Sequence, residues 1–124
     1  MTQQLPTWVR RTITKLENLP ALQENWDSYG ARPIDMRSIQ KAHELICELA
    51  LYVGINEPAV SATPDGHVGL SWDEGSWSID AEMLPDGRIR YVYLDERDSA
   101  NDRERVTCGR YELLGLLTQA PESV

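Results

Sequence analysis

The spacing of apolar residues changes once along the chain, from steps of three and four before Gly54 to steps of two after Pro58. In the first half, Val9, Ile13 and Leu16 recur at helical spacing behind Pro6-Thr7, and Trp8, Thr12 and Leu19 form a second stripe. Thr7 is the expected N-cap, Arg10, Arg11 and Lys15 take the opposite face, and Leu19-Pro20 closes the helix. Asp35 is the expected N-cap of a long helix that ends near Val53-Gly54. Its apolar stripe runs through Met36, Ile39, Ala42 or His43, Ile46, Leu49, Ala50 and Val53. Arg37, Gln40, Lys41, Glu44 and Glu48 fall on the solvated side, and Gly54 supplies the left-handed residue beyond the end.

In the second half, Val60 leads into the turn TPDGH at 63–67, and Val68, Leu70 and Trp72 alternate with Gly69 and Ser71. DEGS at 73–76 turns the chain into Trp77, Ile79 and Ala81, which alternate with Ser78, Asp80 and Glu82. LPDGR at 84–88 turns it again into Ile89, Tyr91 and Tyr93. In each Pro-Asp-Gly, proline fixes an early φ, aspartate bonds its own backbone and glycine accepts a positive φ. Short turns between period-two runs predict an antiparallel β-meander of about four strands. One face of that sheet is apolar and must be covered, and the long helix carries the matching stripe. The fold class predicted is α+β in two layers, with the meander packed against the long helix and short helices at the N- and C-terminal ends, in a single domain over 1–124.

Two segments stand outside this pattern. DERDSANDRER at 95–105 reads as a charged, solvated surface loop. Arg110, Tyr111, Leu113, Leu114, Leu116 and Leu117 suggest a closing helix, broken by Pro121. Its leucines either complete the core or offer a homodimer patch.

Composition narrows the function more than the fold. The formal net charge is −8. Phosphate contacts need Lys and Arg, so direct nucleic-acid binding is not expected. The acidity serves either solubility or an acidic face that meets a basic partner. Cys47 and Cys108 form no metal-ligand spacing, and Cys47 is expected to be a small buried hydrophobe in the long helix. Neither a signal-peptide pattern nor a long apolar run is present, which leads to an expectation of a cytoplasmic protein.

Motifs for phosphate loops, dinucleotides, zinc proteases and serine hydrolases are missing. His43 reads as a structural residue at the edge of the helix stripe, and His67 as exposed after its turn. His43 and Cys47 stand at i, i+4, but the sequence shows no third group to orient them. No enzyme activity, no cofactor and no metal are expected. Trp26 and Tyr29 in the loop ENWDSYGARP read first as an anchor closing the end of the core, then as interface aromatics, then as a platform for a small ligand.

The segments NWDSYGA at 25–31 and TPDGHVGLSW at 63–72 resemble a family of small bacterial and phage-associated proteins with the same loop and hairpin motifs. The resemblance covers roughly residues 22–93 and implies a shared fold, with no activity attached to it. Gly69 and Ser71 depart from it, at positions where charged or bulkier residues are common. Taken together, these readings lead to an expected non-enzymatic binding domain that inhibits or neutralises a basic, nucleic-acid-handling protein, in the manner of a phage anti-defence or antitoxin-like protein. The expected contact residues are Trp26, Asp27, Tyr29, Asp73, Glu74, Asp80, Glu82, Asp95, Glu96, Asp98 and Asp102. The alternatives are a small-ligand module built on Trp26 and Tyr29, and a structural homo-oligomer through Leu113, Leu114, Leu116 and Leu117.

Overall fold

The computed structural model describes residues 6–22, 30–52, 54–107 and 111–119. Helix α1 (Thr7–Asn18) runs into a short 3-10 turn (Leu19–Ala21), and α2 (Met36–Leu49) follows. Strands β1 (Ala59–Ala62), β2 (Val68–Asp73), β3 (Trp77–Met83), β4 (Ile89–Asp95) and β5 (Arg103–Thr107) come next, and α3 (Tyr111–Gln119) is last. The five strands form one antiparallel sheet in sequence order. The α+β meander is therefore as predicted, with one strand more than the apolar pattern indicates.

That extra strand lies inside the segment read as a surface loop. Arg103 to Val106 are all exposed, so β5 carries no apolar alternation by which to recognise it. It pairs with β4 through its backbone, from Ile89 opposite Thr107 to Tyr93 opposite Arg103. Charged residues of this kind are how an edge strand discourages pairing with another chain.

The helices begin and end for local reasons. Pro6, with φ −54° and ψ 147°, caps α1, and Thr7 is the first helical residue instead of the cap. Along α1, Val9, Thr12 and Leu16 are fully buried, and Thr12 satisfies its hydroxyl by donating to the Trp8 carbonyl at 2.8 Å. Asp35 caps α2 as predicted, its carboxylate accepting from the Arg37 N–H at 2.8 Å. The helix stops at Leu49, four residues earlier than Val53, which lies outside the described residues. Gly54 does take a positive φ of 89°.

The buried face of α2 is Ser38, Ile39, Ala42, Leu45, Ile46 and Leu49. Met36, His43 and Cys47 are exposed, against the expectation of a stripe through Met36 and of a structural His43 and a buried Cys47. At 3.6 residues per turn they sit roughly 100–140° around the axis from Ala42, beyond the edge of the covered arc.

The core lies between the helices and one face of the sheet. Val68, Leu70, Trp72, Ile79, Met83, Ile89 and Tyr91 meet Val9, Leu16, Ala42, Leu45, Ile46 and Leu49 there. Leu113, Leu114 and Leu117 join the same cluster, so the core takes three of the four leucines that a homodimer patch would need. Leu116 is packed against it and half-buried.

Polar contacts also bind the layers. The buried Ser38 hydroxyl donates to the Met83 carbonyl at 2.5 Å and accepts from the Val68 N–H at 2.7 Å. The Tyr91 hydroxyl donates to Glu112 Oε1 at 2.7 Å and ties α3 to the sheet.

Ser38→Ala leaves a buried N–H and a buried carbonyl short of a partner, and should destabilise the fold by about 2–3 kcal/mol. In urea the midpoint should fall with the slope unchanged; an unaltered midpoint would show that the hydroxyl contributes nothing. Burial, and then the bond to Glu112, push the Tyr91 phenol up to about 12. Between about pH 10 and that value the folded chain holds a proton that the unfolded chain has lost, so the contribution is full below 10 and falls as pH rises. Tyrosine absorbance against pH should show a phenol ionising last in native Tyr91 protein, and that component should vanish in Tyr91→Phe.

Candidate functional site

The three helices cover one face of the sheet, and among the described residues none packs on the other. Strand parity decides what that outer face carries. Residues 68, 70 and 72 of β2 point to the core, so Gly69, Ser71 and Asp73 point outward; in β3 the outward set is Ser78, Asp80 and Glu82.

Register then sets these side chains in rows. Ser61, Gly69, Glu82, Arg90 and Val106 lie side by side across the five strands, and Ala59, Ser71, Asp80, Val92 and Glu104 form the next row. Asp73, Ser78 and Leu94 continue the pattern. Four carboxylates, from Asp73, Asp80, Glu82 and Glu104, thus face one guanidinium, from Arg90. Leu94 and Val106 are 44% and 46% exposed, at opposite ends of the β4–β5 pair with Val92 between them.

A depression of about 240 Å³ opens on this face, lined by Ser61, Thr63, Ser71, Asp80, Glu82 and Arg90. Gly69 forms its floor. A Cβ there would lie 2.5 Å from the Ser61 Oγ, so a larger residue would require that hydroxyl to rotate away.

Glu82 is the hub of the polar contacts. His67 Nδ1 stands 2.5 Å from its Oε2, and Arg90 Nη1 stands 3.5 Å from its Oε1. The His67 side chain is only 19% exposed, so the solvated histidine expected from the sequence is instead half-enclosed beside a carboxylate. Its parity places it there: residue 67 points the same way as 69 and 71, onto the face that carries Glu82.

The remaining predicted contact residues scatter. Asp73 is exposed on the turn, and its carboxylate accepts from the Gly75 N–H at 3.0 Å. Glu74 accepts from the Asn56 amide and lies at the sheet end. Asp95 is buried, on the core side of β4. It accepts from Arg97 Nε and the Arg97 N–H at 2.9 Å each and from the Tyr93 hydroxyl at 3.3 Å. The Arg97 side chain holds its carboxyl well below the usual carboxylate range. Asp95 is thus an organiser of the 95–102 loop, with only 5% of its side chain exposed.

Asp98 caps the short turn at Ser99–Asn101 by accepting from the Ala100 N–H at 3.0 Å, and Asp102 accepts from the Asp95 N–H at 2.7 Å. Glu96 is exposed, with its N–H bonded to the Ser76 carbonyl. Trp26, Asp27 and Tyr29 lie outside the described residues. Val92, Leu94, Glu104 and Val106 also belong to the face: Glu104 and Val106 stand on the strand that the apolar pattern does not reveal, and Val92 and Leu94 are apolar residues at outward positions of β4, which a search for charge passes over.

His43 Nδ1 and Cys47 Sγ come within 3.7 Å on the solvent side of α2, away from the depression. Among the described residues, no helix is long and apolar enough to cross a membrane. No protein-family model, curated protein or solved structure matches this chain.

An exposed thiol reacts where a buried one waits for unfolding. In a Cys108→Ser background, Cys47 should react with a thiol reagent such as DTNB in native buffer; a reaction that begins only in denaturant would contradict its placement.

Proposed function

We propose that the protein is a non-enzymatic binding domain whose outer sheet face docks a basic protein, acting as an inhibitor or neutraliser of a nucleic-acid-handling partner. Phage anti-defence and antitoxin-like roles belong to this class. The observation that carries the reading is the make-up of that face: four carboxylates to one guanidinium, with the exposed apolar side chains of Leu94 and Val106 among them. Acidic groups speed encounter with a positive surface and orient it, and apolar side chains add the burial that holds it. The contact set is accordingly Asp73, Asp80, Glu82 and Glu104 around Val92, Leu94 and Val106.

The depression weighs against a small-ligand module as the main activity. At about 240 Å³ it falls below the roughly 300–1,000 Å³ of typical ligand pockets. A shallow acidic surface suits a protruding lysine or arginine of a protein better than it suits a whole small molecule.

Charge reversal tests the reading. The Asp73→Lys, Asp80→Lys, Glu104→Lys protein should lose capture of its partner from host lysate, and purified partner should associate with the native protein at least tenfold more slowly when salt is raised from about 50 to 500 mM. Glu44→Lys, on the solvent side of α2, should bind normally. Binding that survives the sheet reversal but fails with Glu44→Lys would place the interface on the helix and end this proposal.

A further inference from the structure

A different arrangement stands at the β1–β2 end of the same face. A ring nitrogen of His67 and carboxylate oxygens of Asp65 and Glu82 all lie within 4.8 Å of one another. We propose that Asp65, His67 and Glu82 form a binding site for a divalent transition-metal cation of the zinc type.

The donor chemistry selects the class. One neutral imidazole and two carboxylates offer a nitrogen and hard oxygens, a set that zinc accepts and that magnesium or calcium, which prefer oxygen alone, does not favour. The two carboxylates favour a dication, and the Arg90 guanidinium beside Glu82 Oε1 offsets part of their charge. Donor atoms on a tetrahedral ion with bonds near 2.0–2.1 Å stand about 3.3 Å apart. A bound ion would take the place of the present His67 Nδ1–Glu82 Oε2 contact.

The frame is already rigid. Asp65 and His67 belong to the 63–67 turn, which closes on itself through Thr63 N–H to the His67 carbonyl at 2.8 Å and Gly66 N–H to the Thr63 carbonyl at 2.9 Å. The segment before α2 grips the turn from outside, with the Arg32 N–H bonding the Pro64 carbonyl at 2.9 Å and the Asp35 N–H bonding the Gly66 carbonyl at 2.7 Å. Gly66 has φ +85° and backs directly onto the Pro33 carbonyl, so no side chain fits there. Glu82 comes from the middle of the sheet, opposite Gly69, which leaves its flank open. Arg90 occupies Oε1 of Glu82 and leaves Oε2 facing His67. The backbone that carries the donors is thus fixed before an ion arrives.

The site shares Glu82 with the proposed contact face but none of the three positions reversed in that test, so the two readings can fail separately. The experiment is titration of the whole chain with zinc alone, followed by calorimetry and by the histidine ring signals in NMR. Saturable binding of one ion should shift the His67 ring signals and leave those of His43 in place. Asp65→Asn, His67→Ala and Glu82→Gln should each weaken binding at least tenfold, while His43→Ala with Cys47→Ser should not change it. His67→Gln, which keeps a polar group beside Glu82, guards against loss of fold in His67→Ala, and circular dichroism checks every variant. Absence of saturable binding, binding that follows His43 and Cys47, or a preference for magnesium over zinc would each overturn the proposal.

Discussion

The Ser38 hydroxyl holds the long helix to the sheet at the pair Val68 and Met83, where β2 begins and β3 ends. Those two residues face each other in the strand register, so a single side chain on α2 reads both strands at once. Slipping either strand by one residue would turn its apolar set outward and break this contact as well. The outer face inherits its order from the same place. With Val68 and Met83 turned inward, His67 and Glu82 must turn outward, and Gly69 must stand opposite Glu82. A buried contact on one side of the sheet thereby fixes which polar groups meet on the other.

Most of the fold was legible because apolar burial imprints a period on the chain. The alternation at Val68–Trp72, Trp77–Ala81 and Ile89–Tyr93 marks strands with one covered face, and all three have the parity expected of them. Asp35 was legible as a cap because a short acidic side chain before an apolar-periodic run has few other uses. β5 was illegible for the converse reason: Arg103–Val106 bury nothing, and their pairing rests on backbone groups that every sequence possesses. Met36 misled because helix pattern alone gives an arc of uncertain width, and only the position of the sheet shows where that arc ends.

The candidate site was legible in part. Asp80 and Glu82 share an outward face by alternation within one strand. Joining them to Ser61, Arg90, Glu104 and Val106 requires the register between strands, which depends on turn geometry and on α2. Asp95 shows the limit of reading charge as surface. Its position follows the apolar parity of β4, with the Tyr93 hydroxyl of the same strand beside it and Arg97 and Asn101 supplied by the loop that it anchors. An acidic residue at an inward position is a sign of local polar closure, and parity was the available clue.

The order of the strands in the sheet is their order in the chain, and this bears on how the molecule is made. Each strand finds its neighbour across a short turn, so pairing closes only small loops and topology sets no slow search. The helices that cover the sheet are split, however: α1 and α2 precede every strand, and α3 follows them all. During synthesis the first two helices leave the ribosome with their apolar faces bare, and a sheet to cover them exists only once β2 and β3 have followed. The leucines of α3 then close the last gap in the core. Until that moment the growing chain exposes apolar surface that the finished protein hides.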